Sequence, residues 1–492
     1  MTICLVIPPS PFLLDERVFM SLGVLRVAAA LEQAKVGVEV LDLSGVSNYL
    51  DAVAAHVATR RAVAAPIYGI TATSPQLPAA VKIAAAVRAA KPDSHLILGG
   101  PHPTLAHAAA RREAKTGGSG RGTRAMAALR WHFDVIVAGD GERAVLDAMR
   151  APHGAVIDAD DRRSPYWLSD ADLETTPFPA RHLVDVASYH YKIDGAPALS
   201  LIAQLGCPFG CKFCAGRASP MLRNIRTRSA ESIVSEMTEM HRRYGCTGFM
   251  FYDDELNVNT GLVDLMQQIT AAQKRLGTEW RLRGFVKSEL FTAPQADAMR
   301  EAGFRWLLVG FESGSDRILD TIAKRAARDD NTRCVEIAHD AGLKVKALMS
   351  LGHAGESAET VAATTDWLLN VRADDFDASI ITPYPGCPYY DEAVNADGCW
   401  TYTARNGDRL HQREVDYIAE ADYYKGRPGD GYVSHVWTDH LTAHDLVRER
   451  DRLETSVRER LAIPFNPSAP AIAYEHSMGQ SVLPPNILRA SI

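Results

Sequence analysis

Short apolar runs separated by helix-length segments recur along most of this chain, and no other feature limits its fold so tightly. In the first 150 residues the runs are Ile3 to Ile7, Val38 to Leu43, Ile67 to Thr71, His95 to Leu98 and Val135 to Val137. Ala-rich segments with helical spacing lie between them, such as Gly23 to Ala34 and Leu77 to Ala90. Strands alternating with helices predict a parallel, doubly wound α/β sheet, whose ligands sit beyond the carboxyl ends of the strands. The alternation resumes at Leu199 to Leu205, Gly248 to Tyr252, Trp280 to Phe285, Trp306 to Gly310, Val345 to Leu351 and Ala378 to Thr382, with helices such as Ala230 to Tyr244 and Gly261 to Leu276 between.

A chain of 492 residues is too long for one core. Four regions follow from the pattern: a first domain over 1–150, a polar, Pro-containing linker over 151–197, a second domain over 198–395, and a C-terminal region over 396–492. Tyr189-His190-Tyr191 ends the linker and suits either the lining of a cleft between the domains or ordinary packing of the linker. The last region is rich in aromatics (Trp400, Tyr402, Tyr417, Tyr423, Tyr424, Tyr432, Trp437), which suit either pocket walls or the core of a small cap. A helix is expected from Ala443 to Leu461, with Thr442 as N-cap, Asp445 three residues on, and Leu446, Leu453, Val457 and Leu461 on one face. Pro464 to Pro470 then opens a polar tail. A net charge of −7 offers no bulk attraction to nucleic acid or anionic membrane, and no apolar run of about 18 residues is present to span one. The chain starts straight into an apolar run with no basic segment before it, which argues against export.

Three of the eight cysteines stand at i, i+4 and i+7 in Gly206-Cys207-Pro208-Phe209-Gly210-Cys211-Lys212-Phe213-Cys214, in a loop after a strand. Thiolates in one short turn are ligands for an iron–sulfur cluster, and three of them leave the fourth iron of a [4Fe-4S] cube open. A structural zinc site is the competing reading, but it wants a fourth Cys or His, and none lies between Cys214 and His241. Cys4, Cys246, Cys334, Cys387 and Cys399 are scattered and read as ordinary thiols. The Gly-rich stretch Lys115 to Thr123 misses the phosphate-loop pattern and reads as a mobile surface loop.

The cysteine spacing resembles the CxxxCxxC loop of the radical S-adenosylmethionine (radical SAM) superfamily. That resemblance implies a partial (β/α)6, TIM-like barrel over 198–395, a [4Fe-4S] cluster on Cys207, Cys211 and Cys214, and S-adenosylmethionine at the open iron. Among Phe251-Tyr252-Asp253-Asp254-Glu255 it implies that Asp254 and Glu255 take the methionyl ammonium, and after the third strand of this domain that Lys287 pairs with the carboxylate. Gly310-Phe311-Glu312-Ser313-Gly314 matches a Gly-x-Glu-Ser-Gly segment, whose Glu312 and Ser313 reach the ribose. Leu351-Gly352-His353-Ala354-Gly355-Glu356 and Thr382-Pro383-Tyr384-Pro385-Gly386-Cys387-Pro388 resemble two later segments, with Ala354 for proline and Cys387 for threonine. His353 and Cys387 are therefore off-pattern residues near the mouth, where contact with substrate is the lesser expectation and a role without it the greater.

Strand ends of the first domain carry Pro8-Pro9-Ser10, Ala72-Thr73-Ser74-Pro75-Gln76, Gly99-Gly100-Pro101-His102 and Gly139-Asp140-Gly141-Glu142. Standing in front of the cysteine loop, this set resembles the Rossmann-like cobalamin-binding domain of one large class of radical SAM enzymes. It implies corrin contacts from Ser74, Gln76, Gly99, Gly100, His102, Gly139, Gly141 and Glu142. One departure is visible: Asp42 is followed by Leu43-Ser44-Gly45, so the Asp-x-His-x-x-Gly element that gives cobalt a lower histidine is absent. The resemblance implies a C-methyltransferase acting on an unactivated carbon through methylcobalamin and a 5'-deoxyadenosyl radical. A cobalamin-dependent cyclase, ring-contraction or oxidation enzyme is the alternative. A radical SAM enzyme with a cobalamin-free first domain and a zinc-stabilised binding module also stand open. The expected partners are a small-molecule substrate and an electron donor such as flavodoxin or ferredoxin, with neither nucleic acid nor membrane, in a reducing cytoplasm.

Overall fold

A computed structural model of the chain describes residues 2–10, 16–60, 62–420 and 432–464. Its first six strands, β1 (Thr2–Ile7), β2 (Gly37–Asp42), β3 (Ile67–Thr71), β4 (His95–Gly99), β5 (Val135–Gly139) and β6 (Ala155–Ala159), make one all-parallel sheet in the order β2-β1-β3-β4-β5-β6. Helices α1 (Leu22–Gln33), α2 (Tyr49–Thr59), α3 (Leu77–Ala90), α4 (Pro101–Lys115), α5 (Arg121–His132) and α6 (Gly141–Ala148) complete this domain. Ile3, Leu5 and Ile7 are buried in one cluster and Cys4 and Val6 in another, so both faces of β1 are covered. That is why these strands read as continuous apolar runs. Strand order reverses between β1 and β3, and at such a switch point neighbouring loops diverge and open a crevice at the carboxyl end.

Two expectations need correction here. The stretch 151–197 is not all linker, because β6 pairs with β5 and completes the sheet. Its few apolar residues are flanked by Pro152 and by Asp158, Asp160 and Asp161, which masks a strand in the sequence. Gly139, at φ +102°, ends β5 where any Cβ would strike the Ala159 backbone of β6. The Gly-rich stretch expected as a mobile loop is instead a tied turn between α4 and α5. The Glu113 carboxylate accepts from the backbone N–H groups of Gly120, Gly122 and Thr123 at 2.7–2.9 Å and from the Thr123 hydroxyl at 2.6 Å. The chain's own anion therefore fills the helix start that a phosphate would want.

After the short α7 (Asp170–Thr175), β7 (Lys192–Ile193) forms a hairpin with β8 (Ala196–Leu201), and a small antiparallel pair, β9 (Gln204–Leu205) and β10 (Arg226–Thr227), stands apart. The second sheet adds β11 (Gly248–Phe251), β12 (Arg281–Phe285), β13 (Phe304–Glu312), β14 (Lys344–Leu351) and β15 (Asp375–Ile380), in the order β15-β14-β13-β12-β11-β8-β7. Each parallel strand pairs with the next one in the chain and the order never reverses. With α8 (Pro220–Arg223), α9 (Ala230–Tyr244), α10 (Leu262–Leu276), α11 (Ala293–Glu301), α12 (Asp316–Thr321), α13 (Arg328–Asp340) and α14 (Ala358–Val371) in its connections, the twisted sheet curls into a half-barrel. The β7–β8 hairpin plugs its amino end: Tyr191 and Ile193 pack with Val18 on Ala198, Met250 and Leu308, and the Trp306 indole donates to Asp194 at 3.1 Å. Tyr191 is thus core, while Tyr189 faces the first domain and donates to Asp42 at 2.8 Å.

The C-terminal region forms α15 (Pro388–Asp391), an antiparallel sheet of β16 (Val394–Ala396), β17 (Cys399–Thr403), β18 (Arg409–Gln412) and β19 (Val436–Thr438), and α16 (Ala443–Leu461). Thr442 and Asp445 cap α16 reciprocally, as the sequence predicts. This helix covers the exposed edge of the half-barrel: Glu454 accepts from the Ala378 N–H at 3.3 Å and Arg458 donates to the Phe376 carbonyl at 2.8 Å. Tyr423, Tyr424 and residues 465–470 lie outside the described residues.

Arginines of the first domain join it to the cap, and Arg121 is the most deeply buried of them. Arg121, buried on α5, lies 3.7 Å from the Tyr390 ring and 4.4 Å from the Trp400 ring and donates to Gln412 at 3.2 Å. A desolvated guanidinium between two rings is worth about 2 kcal/mol or more. Arg121→Ala is therefore expected to speed hydrogen exchange at β16 to β18 by about thirtyfold, while β3 and β4 stay protected. Unchanged exchange in the cap would show that other contacts hold it.

Candidate active site

Residues 206–225 form a loop bracketed by the β9–β10 pair, and its path is fixed from several sides. Gly206, at φ +88°, passes so close to the Asn224 carbonyl that no Cβ fits. Cys207 donates its N–H to Leu222 at 2.9 Å, and Arg223 donates to the carbonyls of Pro208 and Phe209 at 2.8 and 3.1 Å. Lys212 is held between the Ile322 carbonyl (2.9 Å) and the Tyr389 N–H (3.4 Å). The sulfurs of Cys207, Cys211 and Cys214 do not all come within 4.8 Å of one another, because the one such ligand group among the described residues lies elsewhere. Tetrahedral thiolates on a single zinc, about 2.3 Å from the metal, would stand about 3.8 Å apart. The wider spacing suits a cluster that spreads its ligands over several irons.

Burial raises all three thiols, Cys207 to about 11 and Cys214 to about 12, and Cys211 further discourages ionisation of the other two. Cys214 is nevertheless open to solvent, as is Asp254. Cys214 and Asp254 thus mark the side of the loop that remains reachable from solvent. Cys387, by contrast, is fully shut in, as is His353. Neither off-pattern residue is exposed, so both serve packing, the more expected of their two roles.

The acids after β11 divide by task. Asp253 is buried and accepts from the N–H groups of Ala203 (3.0 Å) and Gln204, so it fixes the entry to the cysteine loop. Asp254 accepts from the Gly206 N–H. Glu255 is half-buried, and its carboxylate has no hydrogen bond or ion pair among the described residues. Burial lifts it to about 7 against the pull of Lys324 and Lys287.

Lys287 and Ser313 depart from expectation. Lys287 is buried, pairs with Glu289 at 2.8 Å, donates to the Lys324 carbonyl at 2.9 Å and sits 4.5 Å from the Phe209 ring. It braces the cysteine loop instead of facing solvent. The Ser313 hydroxyl is turned into α14, 3.1 Å from that of Thr364. Glu312 has φ +66°, a conformation a non-glycine residue holds only when its surroundings impose it. Lys324 at 3.1 Å and the Ser350 hydroxyl at 2.7 Å grip its two oxygens, and Ser350 lies 2.8 Å from His353. Burial would raise Glu312, but Lys324 and Ser350 outweigh it and hold the carboxyl below its ordinary range. Lys324 and Ser350 were absent from the sequence reading.

At the carboxyl end of the first sheet, several expected ligand contacts serve the protein itself. His102 is buried in the first turn of α4, 2.8 Å from the Ser74 hydroxyl and 5.6 Å from the Tyr417 ring, and burial drops it to about 4. Gln76 donates to the Pro8 carbonyl at 2.8 Å and accepts from Thr73, tying the loop after β3 to the loop after β1. Glu142 pairs with Arg26 at 2.7 Å. Gly141 lies against Val27, and Gly100, at φ +99°, is so close to Thr71 and Ala72 that a Cβ would come within 2.6 Å. Gly99 alone of the four glycines opens outward, an added Cβ meeting nothing nearer than Val137 at 4.0 Å. Asp42, the acid of the missing histidine element, is engaged by Arg17, Tyr189 and the Ser44 N–H, so Ser44 occupies the would-be ligand position.

The two cofactor faces meet. Asp160 of the first domain accepts from the Ser219 hydroxyl and the Met221 N–H, and Asp140 pairs with Arg226, all just after the cysteines. The Gly386 carbonyl (φ +88°) accepts from the Ala218 N–H at 3.1 Å, and a Cβ on Gly386 would lie 2.7 Å from Ala215 and 3.5 Å from the Leu105 carbonyl of α4. Of the C-terminal aromatics, Tyr417 sits at this junction, donating to Pro383 at 2.7 Å. Trp400, Tyr402 and Trp437 pack on Arg121, Tyr389 and His411.

Residues 16–130 match the B12 binding domain and residues 201–368 the radical SAM superfamily. An uncharacterized methyltransferase of Pyrococcus horikoshii, PH0819, is 27% identical over 334 residues, covering 67% of this chain and 69% of its own. The anaerobic magnesium-protoporphyrin IX monomethyl ester cyclase of Rubrivivax gelatinosus is 23% identical over 66% of this chain, and the match spans 58% of the cyclase. In fold, the chain is similar to TsrM, a radical S-adenosylmethionine methyltransferase from Kitasatospora setae solved with cobalamin and a [4Fe-4S] cluster: TM-score 0.66, 17% identity, 92% of this chain and 90% of that one. No helix among the described residues is long and apolar enough to cross a membrane. With a B12-binding domain set ahead of a radical SAM domain on this fold, the chain is a cobalamin-dependent radical SAM enzyme, whose cofactors are a [4Fe-4S] cluster, S-adenosylmethionine and cobalamin.

Proposed function

We propose that this enzyme transfers a methyl group to an unactivated carbon of a small molecule. The observation that carries the reading is the junction at Gly386, where the cysteine loop, α4 of the B12-binding domain and the segment after β15 touch. One chamber thus serves both cofactors, and the methyltransferase relative is the more similar of the two curated proteins above. When bound, the cluster supplies a single electron to S-adenosylmethionine and the corrin supplies a methyl carrier.

The chain's own residues do the placing. Cys207, Cys211 and Cys214 hold the cluster on a loop whose carbonyls Arg223 grips. Glu255, unpaired beside that loop, takes the methionyl ammonium, and Asp254 holds Gly206 so that the acid and the thiols keep their spacing. Glu312, gripped by Lys324 and Ser350, presents an oriented carboxylate to the ribose hydroxyls. The open backbone at Gly99 and the starts of α4 and α6 receive the corrin, without a histidine from the Asp42 loop.

Anaerobic turnover with candidate acceptors is expected to yield S-adenosylhomocysteine and 5'-deoxyadenosine together. Deoxyadenosine without homocysteine product would overturn methyl transfer and favour the reaction type of the cyclase relative. A pH test addresses Glu255 directly. Its carboxyl is raised to about 7 in the free protein, and an ammonium beside it lowers that value, so binding expels a proton. Affinity for S-adenosylmethionine should then rise with pH, by up to about tenfold per unit, until pH passes about 7. Calorimetry near pH 6.5 in two buffers of different ionisation heat reads the proton, and Glu255→Gln should abolish its release. Equal release in that variant would remove Glu255 from the role.

A further inference from the structure

Beneath α2 the first sheet carries a second set of metal-binding side chains, on a face unconnected with either cofactor. Cys4 on β1 stands in register with Glu39 on β2 and Tyr68 on β3. Their side chains share one face of the sheet, and α2 with the residue after it brings His56 and Arg60, one turn apart, over that face. Cys4 Sγ, Glu39 Oε1 and His56 Nε2 all lie within 4.8 Å of one another, as does no other set of three or more Cys, His, Asp or Glu atoms among the described residues. Cys4 sits three residues before the end of its strand, where the carboxyl-end loops begin.

A second observation points the same way. The Tyr68 hydroxyl, on a residue 1% exposed, has no hydrogen-bond partner among the described residues, while His56 Nε2 and Glu39 Oε1 stand 3.3 Å apart and Arg60 pairs with that carboxylate. Leaving a buried polar group unmade costs about 1–3 kcal/mol, and here the Tyr68 hydroxyl is left so, across the strand from the Cys4 thiol in an otherwise apolar layer of Val6, Val53, Val57 and Ile70. We propose that Cys4, Glu39 and His56 bind a divalent transition metal, zinc by ligand type, as a clasp between the edge strand β2, its neighbour β1 and α2.

Thiolate, imidazole and carboxylate together are a zinc set, and the two anions neutralise the ion. Binding releases the Cys4 proton to solvent. The Glu39 side chain is 43% exposed, so the site has an entrance and a water for the fourth position. Arg60, whose guanidinium pairs with this same Glu39 Oε1 and lies 6.0 Å from the Tyr68 ring, yields that oxygen to the metal.

The test uses the full chain, purified anaerobically from zinc-supplemented cells, with zinc and iron counted by mass spectrometry. About one zinc per chain is expected. It should persist when Cys207, Cys211 and Cys214 are replaced by Ala and iron is lost, persist in Arg60→Gln, and fall at least tenfold in His56→Ala and Cys4→Ser with iron unchanged. In the cluster-free, cobalamin-free chain, Co²⁺ should give a sulfur-to-cobalt charge-transfer band that Cys4→Ser removes. Zinc absent from the unsubstituted protein, or retained in His56→Ala, would overturn the assignment.

Discussion

Lys324→Met is expected to destabilise the half-barrel by about 3–5 kcal/mol and to weaken S-adenosylmethionine binding by about 10- to 100-fold. The lysine is 5% exposed and is the cation on Glu312, itself held at φ +66°. Removing it leaves a buried carboxylate unpaired in a backbone conformation that needs its surroundings to persist. Sign and pH window follow from the two shifts. Glu312 is lowered in the folded protein, so its contribution is whole above the unfolded value of 4.5 and is lost as pH falls through the folded one. Lys324 is raised above 10.5, so its share is whole below that value and is lost only in stronger alkali. In the variant, burial acts on Glu312 alone and raises it, so stability is whole below 4.5 and drains away as pH rises. The gap between the two proteins should therefore open with increasing pH. Urea unfolding at pH 5 and pH 8 measures it, and Glu312→Gln with Lys324→Met should recover most of the stability but not the binding. A gap that stays constant, or a double variant as unstable as the single, would show that the pair does not govern this end of the barrel.

Glu312 was legible in the sequence because it sits in a recognisable Gly-x-Glu-Ser-Gly segment after a strand. Lys324 was not, because nothing in the eleven intervening residues announces that a short helix will fold it back. The same difference runs through the molecule. Strands β1 to β5, β8 and β11 to β15 stand out because parallel strands buried on both faces must be apolar along their length. β6 and the strands of the cap are short and half polar, and they form by pairing with neighbours already in place. Lys287 was legible as a basic residue after β12, but its partner Glu289, two residues on, consumes the charge. The loop residues of the first domain were found in the right places, yet His102, Gln76 and Glu142 are engaged by Ser74, Pro8 and Arg26. Periodicity marks where a strand ends, while which side chain remains free there depends on contacts from distant elements.

Cys207→Ala, Cys211→Ala and Cys214→Ala should each lower cluster iron to near background and end S-adenosylmethionine cleavage, whereas Cys246→Ala, Cys334→Ala and Cys387→Ala should keep both. All eight cysteines are unbridged, so composition does not separate them. Position does: Cys246, Cys334 and Cys387 are 0–3% exposed in packed interiors, and the triad lies on a loop fixed by Arg223, Ile322 and Tyr389 with a side reachable from solvent. The metal-free triad also predicts how the cluster enters. With Cys207 raised to about 11 and Cys214 to about 12, the thiols are protonated at neutral pH, and iron must displace their protons. Reconstitution with ferrous iron and sulfide should accordingly run faster at pH 8.5 than at pH 7, by up to about tenfold per unit for each thiol ionised before the rate-limiting step. Absorbance of the sulfide-to-iron bands against time gives the rate. A flat profile between these values would mean that the thiols ionise only after iron has docked. Loss of iron in Cys387→Ala as severe as in Cys211→Ala would move the cluster off the loop and overturn the assignment of its ligands.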